Sequence, residues 1–518
     1  MSDLILMNAN IITLGNHTKK AQLLAIKDGN ILAVKSNKAI AKLKDRKSNI
    51  IDCQGKTVLP GFLDSHIHIH AFAEKFVTIN LDPGNHVRSI SDIQSKIRAQ
   101  AKRIPTGTWI RCKGYNEFYL KEKQHPTRWD LDRAAPNHPI KLSHRTGHAH
   151  VLNSLALDRV GISNQTPDPP GGLIDRNYQN GEPTGLLFEM RKHLSKHIPP
   201  LEKNELERGI KKVNHELLSM GITSVQDASS YNYWPQWENF RYWKKNGLLK
   251  PRIKMMLGAD SLNNSLNIGQ KQDYFNQEIE NQLQINGIKI ILDETTGELV
   301  PSQDELNQLV LKTHGAGLQV AIHAIEESAV ESACSAIEYA LRKIPKEDHR
   351  HRIEHCSVCS PGLSKRIASL GIFIVTHPTF VYYHGDRYLN TISKMQRKHL
   401  YPIGSFLKKG VHVSAGSDCP VAPVNPLAGI YAAVARMTAA GKVISPKEKI
   451  LPIDALKLYT HNAARAGFEE NKKGSITPGK LADLIILSDD PIRMPDNELL
   501  ELEVEMTIIN GEIVWEKS

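Results

Sequence analysis

Cysteine is scarce in this chain of 518 residues, which has six cysteines at irregular spacing. A secreted scaffold held together by disulfides is therefore excluded, and we expect the cysteines to be free thiols. Long hydrophobic runs are also absent, since no segment approaches the roughly 20 apolar residues that cross a bilayer. The start "MSDLILMNAN" lacks the basic and apolar segments of a signal peptide. These absences predict a cytoplasmic protein without a membrane partner.

Clustered charge of one sign is missing as well. The formal net charge is +11, but lysines and arginines are scattered and form no basic stripe interleaved with aromatic residues. The charge therefore indicates a solvated surface, and we expect no nucleic-acid partner. Apolar residues at 40% and charged residues at 23% are typical of folded globular proteins. The length suits one large domain with one or two smaller ones.

Both ends of the chain have the pattern of short β-strands. Near the start, "AQLLAIKDGNILAV" places Asp28-Gly29 between two apolar runs, which is a hairpin signal. Near the end, "ADLIIL" precedes "VEMTIINGEIVWE", where Asn510-Gly511 gives the same signal. We therefore predict a small β-sandwich domain built from residues 1–57 and 475–518, with the rest of the chain inserted between them.

The middle of the chain alternates short apolar strands with helical patterns, as parallel βαβ units do. Eight candidate strands are residues 58–66, 221–229, 252–257, 287–293, 318–325, 351–356, 371–377 and 411–418. Eight such units predict an α/β fold, a closed (β/α)₈ TIM barrel spanning residues 58–474. The gap after the first strand is too long for one crossover. It predicts an inserted subdomain at about residues 71–205.

Polar residues end several of these strands, where the loops of a barrel enzyme form its active-site mouth. They are His66, His68, His323, His355 and Asp418. Residues two apart on a strand face the same side, so His66 and His68 can present both imidazoles to one ion. This mix of nitrogen and oxygen donors predicts a divalent metal site, best suited to zinc, with manganese, iron or nickel as alternatives.

Lys289 has an unusual position, inside the apolar fourth strand between Ile288 and Ile290. A buried ammonium is costly, and a nearby dication would repel it. Carbamylation by CO₂ would convert the side chain into an anionic bridging ligand. The alternatives are a lysine that extends to solvent or one that pairs with Asp293.

Two other segments carry weaker signals. "FVYYHGDRY" after the seventh strand offers Tyr382, Tyr383 and His384 as substrate-pocket residues, although it is equally consistent with an ordinary packed loop. Cys356 and Cys359 form a single C-x-x-C pair without a second half, which is weak support for a structural zinc or redox site.

Taken together, these motifs resemble the amidohydrolase superfamily, specifically amidohydrolase family 3, in the branch of N-substituted formamide deformylases and exoenzyme regulatory proteins. "LPGFLDSHIH", "GITSVQDA", "HRIEHC" and "GSDCPV" resemble its first, second, sixth and eighth strand motifs. "HPTRWDLDRAAPNHPI", "GHAHVLNSLAL" and "PTGLLFE" resemble its insert, and "GSITPGKLADLIIL" its return into the sandwich. The resemblance runs nearly from end to end.

The resemblance implies a hydrolase that uses metal-activated water to cleave a C–N bond of a small amide, N-formyl compound or cyclic amide. It implies one or two divalent ions per chain. The implied ligands are His66, His68, His323 and His355, with Lys289 as a carbamylated bridge and Asp418 as ligand and proton carrier. Apart from the resemblance, His148 in the insert is a candidate polar contact for substrate. The sequence leaves the oligomeric state open, with a homodimer among the alternatives.

Two stretches depart from the family pattern, and both border the predicted mouth. "HAIEE" places Glu326 and Glu327 where many members have Gly-Asp, and "DETTGELVPS" follows the fourth strand. Because of these departures, the resemblance does not identify the substrate. Rival functions on the same metal site are ester hydrolysis, decarboxylation and isomerisation. From another class, the rival is a regulatory or binding protein on a hydrolase scaffold.

Overall fold

The computed structural model describes residues 2–15, 21–261, 278–279, 282–294 and 299–518. These residues form two compact units. The first contains the described residues up to His68, together with those of Val213–Glu294 and Leu299–Ser518. The second is Ile69–Lys212.

Eight parallel strands in the first unit form one sheet, in which each strand pairs with the next along the chain. They are β1 Phe62–Ile67, β2 Ile222–Asp227, β3 Arg252–Gly258, β4 Leu283–Ile291, β5 Val320–Ala324, β6 Arg352–His355, β7 Phe373–Thr376 and β8 His412–Ala415. The short strand Glu278–Ile279 pairs antiparallel with β4. The strand order is that of a TIM barrel, which confirms the predicted fold class.

Backbone hydrogen bonds close the barrel between β1 and the loop after β8. The amide of Asp418 donates to the carbonyl oxygen of His66 at 2.8 Å, and the amide of His68 donates to the carbonyl oxygen of Cys419 at 3.0 Å. Closure therefore runs directly through the residues that the sequence predicts as metal ligands.

The first predicted strand, 58–66, is wrong as a single element. Its first half, Thr57–Pro60, pairs antiparallel with Leu484–Leu487 in the sandwich, and its second half is β1. Gly61 lies at the break, and a Cβ added there would come within 2.3 Å of the Thr223 side chain. The change of sheet therefore occurs where only glycine allows β1 to lie close to β2.

Helices follow or precede the strands as the periodicity predicts. In Glu327–Lys343, after β5, the buried positions repeat with helical spacing at Val330, Ala333, Ile337 and Ala340. None of the helices in the described ranges is long and apolar enough to cross a membrane. The other α-helices of the first unit are Ile40–Leu43, Trp234–Lys245, Gln303–Gly315, Pro361–Ser369, Pro378–Thr391, Lys394–Arg397, Ile403–Lys408, Pro426–Ala435, Pro452–Leu458 and His461–Ala466.

The two ends of the chain form a sandwich, as predicted from their turn signals. One sheet has the order Asn30–Lys35, Leu23–Lys27, Leu4–Met7, Asn49–Asp52, and the other has the order Asn10–Ile11, Thr57–Pro60, Leu484–Leu487, Val504–Ile509, Glu512–Glu516. Side chains such as Leu6, Leu484 and Ile508 are buried in one shared core. Asp28 and Asn510 both have positive φ, 49° and 56°, as the predicted tight turns require.

The second unit is the insert that follows β1. Its six-stranded sheet has the order Leu173–Arg176, Pro183–Phe188, Ala149–Leu152, Ile140–His144, Ile110–Tyr115, Ile79–Asn80. Its helices are Ile69–Val77, Ile90–Ala101, Arg128–Asp132, Ser154–Val160 and Arg191–His197, and Lys203–Ser219 leads back into the first unit. His70 lies in the first of these helices rather than on β1. The exact boundaries predicted for the sandwich, barrel and insert stay predictions.

A buried histidine network lies near the amino ends of β5 and β6. His351 accepts the amide hydrogen of Val320 at Nδ1, at 3.1 Å, and its Nε2 lies 2.8 Å from Nδ1 of His314. His349 accepts the amide hydrogen of His351 at 2.9 Å and contacts the carbonyl oxygen of Leu370 at 2.8 Å. A ring nitrogen that accepts a hydrogen bond carries no proton, so the Nδ1 contacts require neutral rings at both His349 and His351, and burial lowers the pKa of both.

We expect this network to make the protein acid-sensitive. Unfolded histidines titrate near pH 6.5, so below that pH the unfolded state takes up protons that the folded state does not. The free energy of unfolding should then fall by up to about 1.4 kcal/mol per pH unit for each such histidine. Urea midpoints between pH 7.5 and 5.5 measure this fall. We expect a shallower dependence for His349→Gln and the parent dependence for the exposed control His215→Gln, and equal dependence in both variants would contradict the expectation.

Candidate metal centre

The two histidines of the first strand motif converge on the carboxylate that follows β8. The Nε2 atom of His68 lies 2.9 Å from Oδ1 of Asp418, and the Nε2 atom of His66 lies 3.5 Å from the same oxygen. The backbone bonds that close the barrel hold these residues beside one another. On its other side, Nδ1 of His68 lies 3.0 Å from the Ser229 hydroxyl. The structure therefore brings together three of the predicted ligands.

Glu354 orients His66 from behind. Its Oε2 atom lies 2.5 Å from Nδ1 of His66, so Nδ1–H donates to the carboxylate and the lone pair of Nε2 stays available. Arg352 in turn pairs with Glu354 and donates to the carbonyl oxygen of Ser65 at 2.6 Å. A carboxylate behind a metal-binding histidine is a common arrangement that fixes the ring and its tautomer.

Strict alternation along β6 predicts that Glu354 faces away from His355 and braces the site from behind. Its contact with Nδ1 of His66 agrees with the bracing, but the predicted orientation is wrong. Both residues contact His66, because the ring of His355 lies 5.1 Å from that of His66 while Glu354 bonds to its Nδ1. The reason is the backbone of His355, where φ is 70°. The left-handed conformation ends the strand and rotates the next side chain onto the same side.

The remaining predicted histidines extend the cluster. The ring centroids of His323 and His355 are 4.3 Å apart. His377, at the end of β7, adds a ring 4.5 Å from His355 and 5.0 Å from His66. His377 is absent from the predicted ligand set, although it is the last residue of the predicted strand 371–377. The rule of polar residues at strand ends, applied to all eight strands, would have included it.

Burial keeps the imidazoles of His66, His355 and His377 neutral, the form that binds metal. It lowers the pKa of His66 to about 3, with a further lowering by the charge of Lys289, and it lowers the pKa of His355 and His377. Burial raises the pKa of Asp418, but the hydrogen bond from Nε2 of His68 outweighs it, so the pKa lies well below its usual range. Asp418 is therefore a carboxylate at neutral pH.

Lys289 is enclosed in the barrel with 1% of its surface exposed, and its Nζ atom has no hydrogen-bond partner among the described residues. Extension to solvent and pairing with Asp293 are therefore both wrong. Burial lowers the pKa of Lys289 to about 8, although the charges of Glu354 and Asp418 oppose that shift. An amine with this pKa is partly neutral near pH 7.5, and neutral amines react with CO₂.

The donor atoms fit a divalent ion. Two groups of three ligand atoms, each within 4.8 Å of one another, occur in the described structure: His66, His68 and Asp418 form the first group, and His66, His355 and His377 form the second. Imidazole nitrogen with carboxylate oxygen is a donor set that zinc uses. His66 belongs to both groups.

The predicted substrate residues lie outside these two groups. Residues 378–391 form a helix, not the expected loop, and Tyr382 and Tyr383 pack against the hydrophobic cluster beside it. His384 on the same helix contacts the carbonyl oxygen of Val421 at 3.2 Å. His148 is in the insert, where its Nδ1 lies 2.7 Å from Glu189. Their roles toward substrate stay predictions.

Comparison with known proteins gives the family. Residues 49–515 match the family model described as "Amidohydrolase family". The chain belongs to the amidohydrolase family. It is 30% identical, over 100% of its own length and 99% of the relative, to N-substituted formamide deformylase of Arthrobacter pascens.

Two solved structures resemble this amidohydrolase. One is an uncharacterized metal-dependent hydrolase from Pyrococcus horikoshii, with a TM-score of 0.76 and 24% identity, covering 95% of this chain and 99% of that one. The other is an uncharacterized metal-dependent hydrolase from Pyrococcus furiosus, with a TM-score of 0.72 and 26% identity, covering 95% and 100%. The fold of this chain is thus shared over almost its whole length.

In this amidohydrolase, Gly416 holds His66 in place by lying directly against it. A Cβ added at Gly416 would lie 2.6 Å from the backbone nitrogen of His66 and 2.7 Å from its Cβ. We therefore expect Gly416→Ala to lower the free energy of unfolding by about 1–3 kcal/mol, as overpacking in a core does, and to weaken metal binding. The control is Gly362→Ala in the helix Pro361–Ser369, where an added Cβ meets nothing within 4 Å. Denaturant midpoints and zinc titrations that move equally in both variants would contradict this expectation.

Proposed function

We propose that this protein is a metal-dependent hydrolase that cleaves a C–N bond of a small-molecule amide, N-formyl compound or cyclic amide in the cytoplasm. The observation that carries the proposal is the convergence of His66, His68 and Asp418 at the carboxyl end of the barrel. Membership in the amidohydrolase family supports it. So does the match to a relative named N-substituted formamide deformylase.

The residues that would hold the ion are His66, His68, His323, His355 and Asp418. Their nitrogen and oxygen donors favour zinc, in one or two ions per chain. When bound, zinc lowers the pKa of a coordinated water to about 7, which supplies hydroxide near neutral pH. Glu354 accepts the Nδ1–H of His66. This bond fixes the ring and leaves the lone pair of Nε2 available to the ion.

Asp418 carries the proton in the proposed reaction. Its carboxylate accepts a proton from the attacking water and donates it to the departing nitrogen, because an amine anion is a very poor leaving group. The low pKa of Asp418 keeps it in the accepting form before the reaction. Before an ion binds, Nε2–H of His68 donates to Oδ1 of Asp418 at 2.9 Å, which holds the carboxylate in position.

Lys289 is proposed to carry a carbamate. The modification would replace a buried, unpaired ammonium with an anionic group whose oxygens can bind metal, which accounts for a lysine with 1% exposure inside the barrel. Electron density extending beyond Nζ in a crystal structure of the zinc-loaded protein would check this assignment.

A substrate screen with metal analysis tests the proposed function. Amides, N-formyl compounds, cyclic amides, esters and carboxylic acids should be assayed side by side with zinc-loaded protein, and the bound metal should be measured in the same preparation. We expect one or two transition-metal ions per chain and C–N hydrolysis that is lost on chelation and restored by zinc. Absence of metal after purification with zinc, or turnover of esters or acids alone, would contradict the proposal.

A further inference from the structure

We propose that His377 is a metal ligand, so that β7 contributes a nitrogen donor to an ion shared with His66 and His355. The inference rests on the proposed metal-dependent function and deepens it. It assigns a ligand to a residue outside the set predicted from the sequence.

The three rings form a compact, buried triangle. Their centroids are 5.1 Å apart for His66 and His355, 5.0 Å for His66 and His377, and 4.5 Å for His355 and His377. Each of the three contributes one nitrogen, and these nitrogens lie within 4.8 Å of one another. A set of three imidazoles with one open position is a known catalytic zinc environment.

The hydrogen bonds of His377 leave its second nitrogen free for an ion. Its Nδ1 lies 2.9 Å from the carbonyl oxygen of Gly416, which can only accept, so Nδ1 carries the proton and Nε2 has the lone pair. Nε2 has no hydrogen-bond partner in the described structure, and His377 has 0% of its surface exposed. A fully buried acceptor without a partner is unfavourable, and a bound cation would satisfy it.

His66 limits how the two groups of ligand atoms can be used. Its Nδ1 is committed to Glu354, so only Nε2 can bind metal, and one lone pair binds one ion. An ion held by His66, His355 and His377 therefore cannot coexist with a second ion that also uses His66. In this arrangement Asp418 can transfer protons without being needed to retain the ion.

Zinc affinity tests the assignment without any assay of activity. His377→Asn keeps an amide N–H that can donate to Gly416 but removes the second nitrogen. The metal-free variant and the parent would be titrated with zinc against a chromophoric chelator. We expect the affinity of His377→Asn to fall by about 100-fold or more, since even residues behind the ligands typically cost 10–100-fold. The control His412→Asn alters a histidine at the opposite end of the barrel, whose ring centroid lies 4.6 Å from that of Phe373, and should keep parent affinity.

The result that would overturn the inference is parent affinity and stoichiometry in His377→Asn. In that case the proposed function stands, because the parent still binds metal. If the parent binds no zinc, the inference and the proposed function both fail. Circular dichroism checks that the variant folds. If it does not fold, a crystal structure of the zinc-loaded parent decides: a zinc ion about 2.0–2.1 Å from Nε2 of His377 supports the inference, and a bound zinc ion that does not contact His377 overturns it.

Discussion

Asp418→Asn is expected to lower kcat by a factor of about 10² to 10⁴ while the bound metal is retained, because general acid–base catalysis contributes about that much. The amide has nearly the shape of the carboxylate, but it cannot accept the proton of the attacking water or donate one to the leaving nitrogen. The imidazoles of His66, His355 and His377 remain to hold the ion. Steady-state kinetics on the substrate found by screening, with metal analysis of the same sample, measure both quantities.

The matched control is Asp489→Asn, an exposed aspartate after the sandwich strand Leu484–Leu487. It should retain parent kcat and metal content. An Asp418→Asn variant with parent kcat would remove the proton-transfer role of that residue. A variant that loses its metal would show instead that Asp418 is required as a ligand, and the kinetic loss could then not be assigned to proton transfer.

Glu354→Ala is expected to destabilise the protein by about 3–5 kcal/mol, the usual effect of breaking a buried ion pair by removing one partner. Glu354 and Arg352 each have 0% side-chain exposure, and Glu354 also accepts from Nδ1 of His66. Removing the carboxylate leaves the buried guanidinium of Arg352 without the anion that pairs with it. It also leaves Nδ1–H of His66 without its acceptor. Denaturant unfolding of the metal-free protein measures the change directly.

Glu238→Ala is the control for that measurement. Glu238 forms an ion pair with Arg241 at 2.9 Å, but both side chains are at least half exposed. Such pairs contribute less than about 1 kcal/mol. An equal loss in both variants, or parent stability in Glu354→Ala, would show that the pair behind His66 does not stabilise the barrel.

Most of the architecture follows from local patterns in the sequence. The eight apolar runs correspond to β1–β8 because a buried parallel strand needs a continuous apolar segment between turn signals. The sandwich hairpins could be predicted from Asp28-Gly29 and Asn510-Gly511, because these pairs adopt the positive φ that a tight turn requires. The break at Gly61 could not be predicted. It depends on the contact with Thr223, which is distant in the sequence.

The residues that supply the metal donors could be predicted from the sequence, but the contacts that orient them could not. The predicted ligands lie at the ends of strands or just after them, and the barrel brings such positions together. They are His66, His68, His323, His355 and Asp418. The approach of His355 to His66, beside Glu354, depends on the positive φ of His355, which no sequence pattern indicates. His377 also ends a predicted strand, so the same rule applied to all eight strands adds it to the predicted ligands.

The most direct test of the central claim is a zinc-edge anomalous difference map from crystals of the zinc-loaded protein. We predict a peak at the carboxyl end of the barrel within about 2.0–2.1 Å of the Nε2 atom of His66, the usual zinc–imidazole distance. A map without a peak there, with the rings of His66, His68, His323 and His355 directed to separate places, would contradict the account.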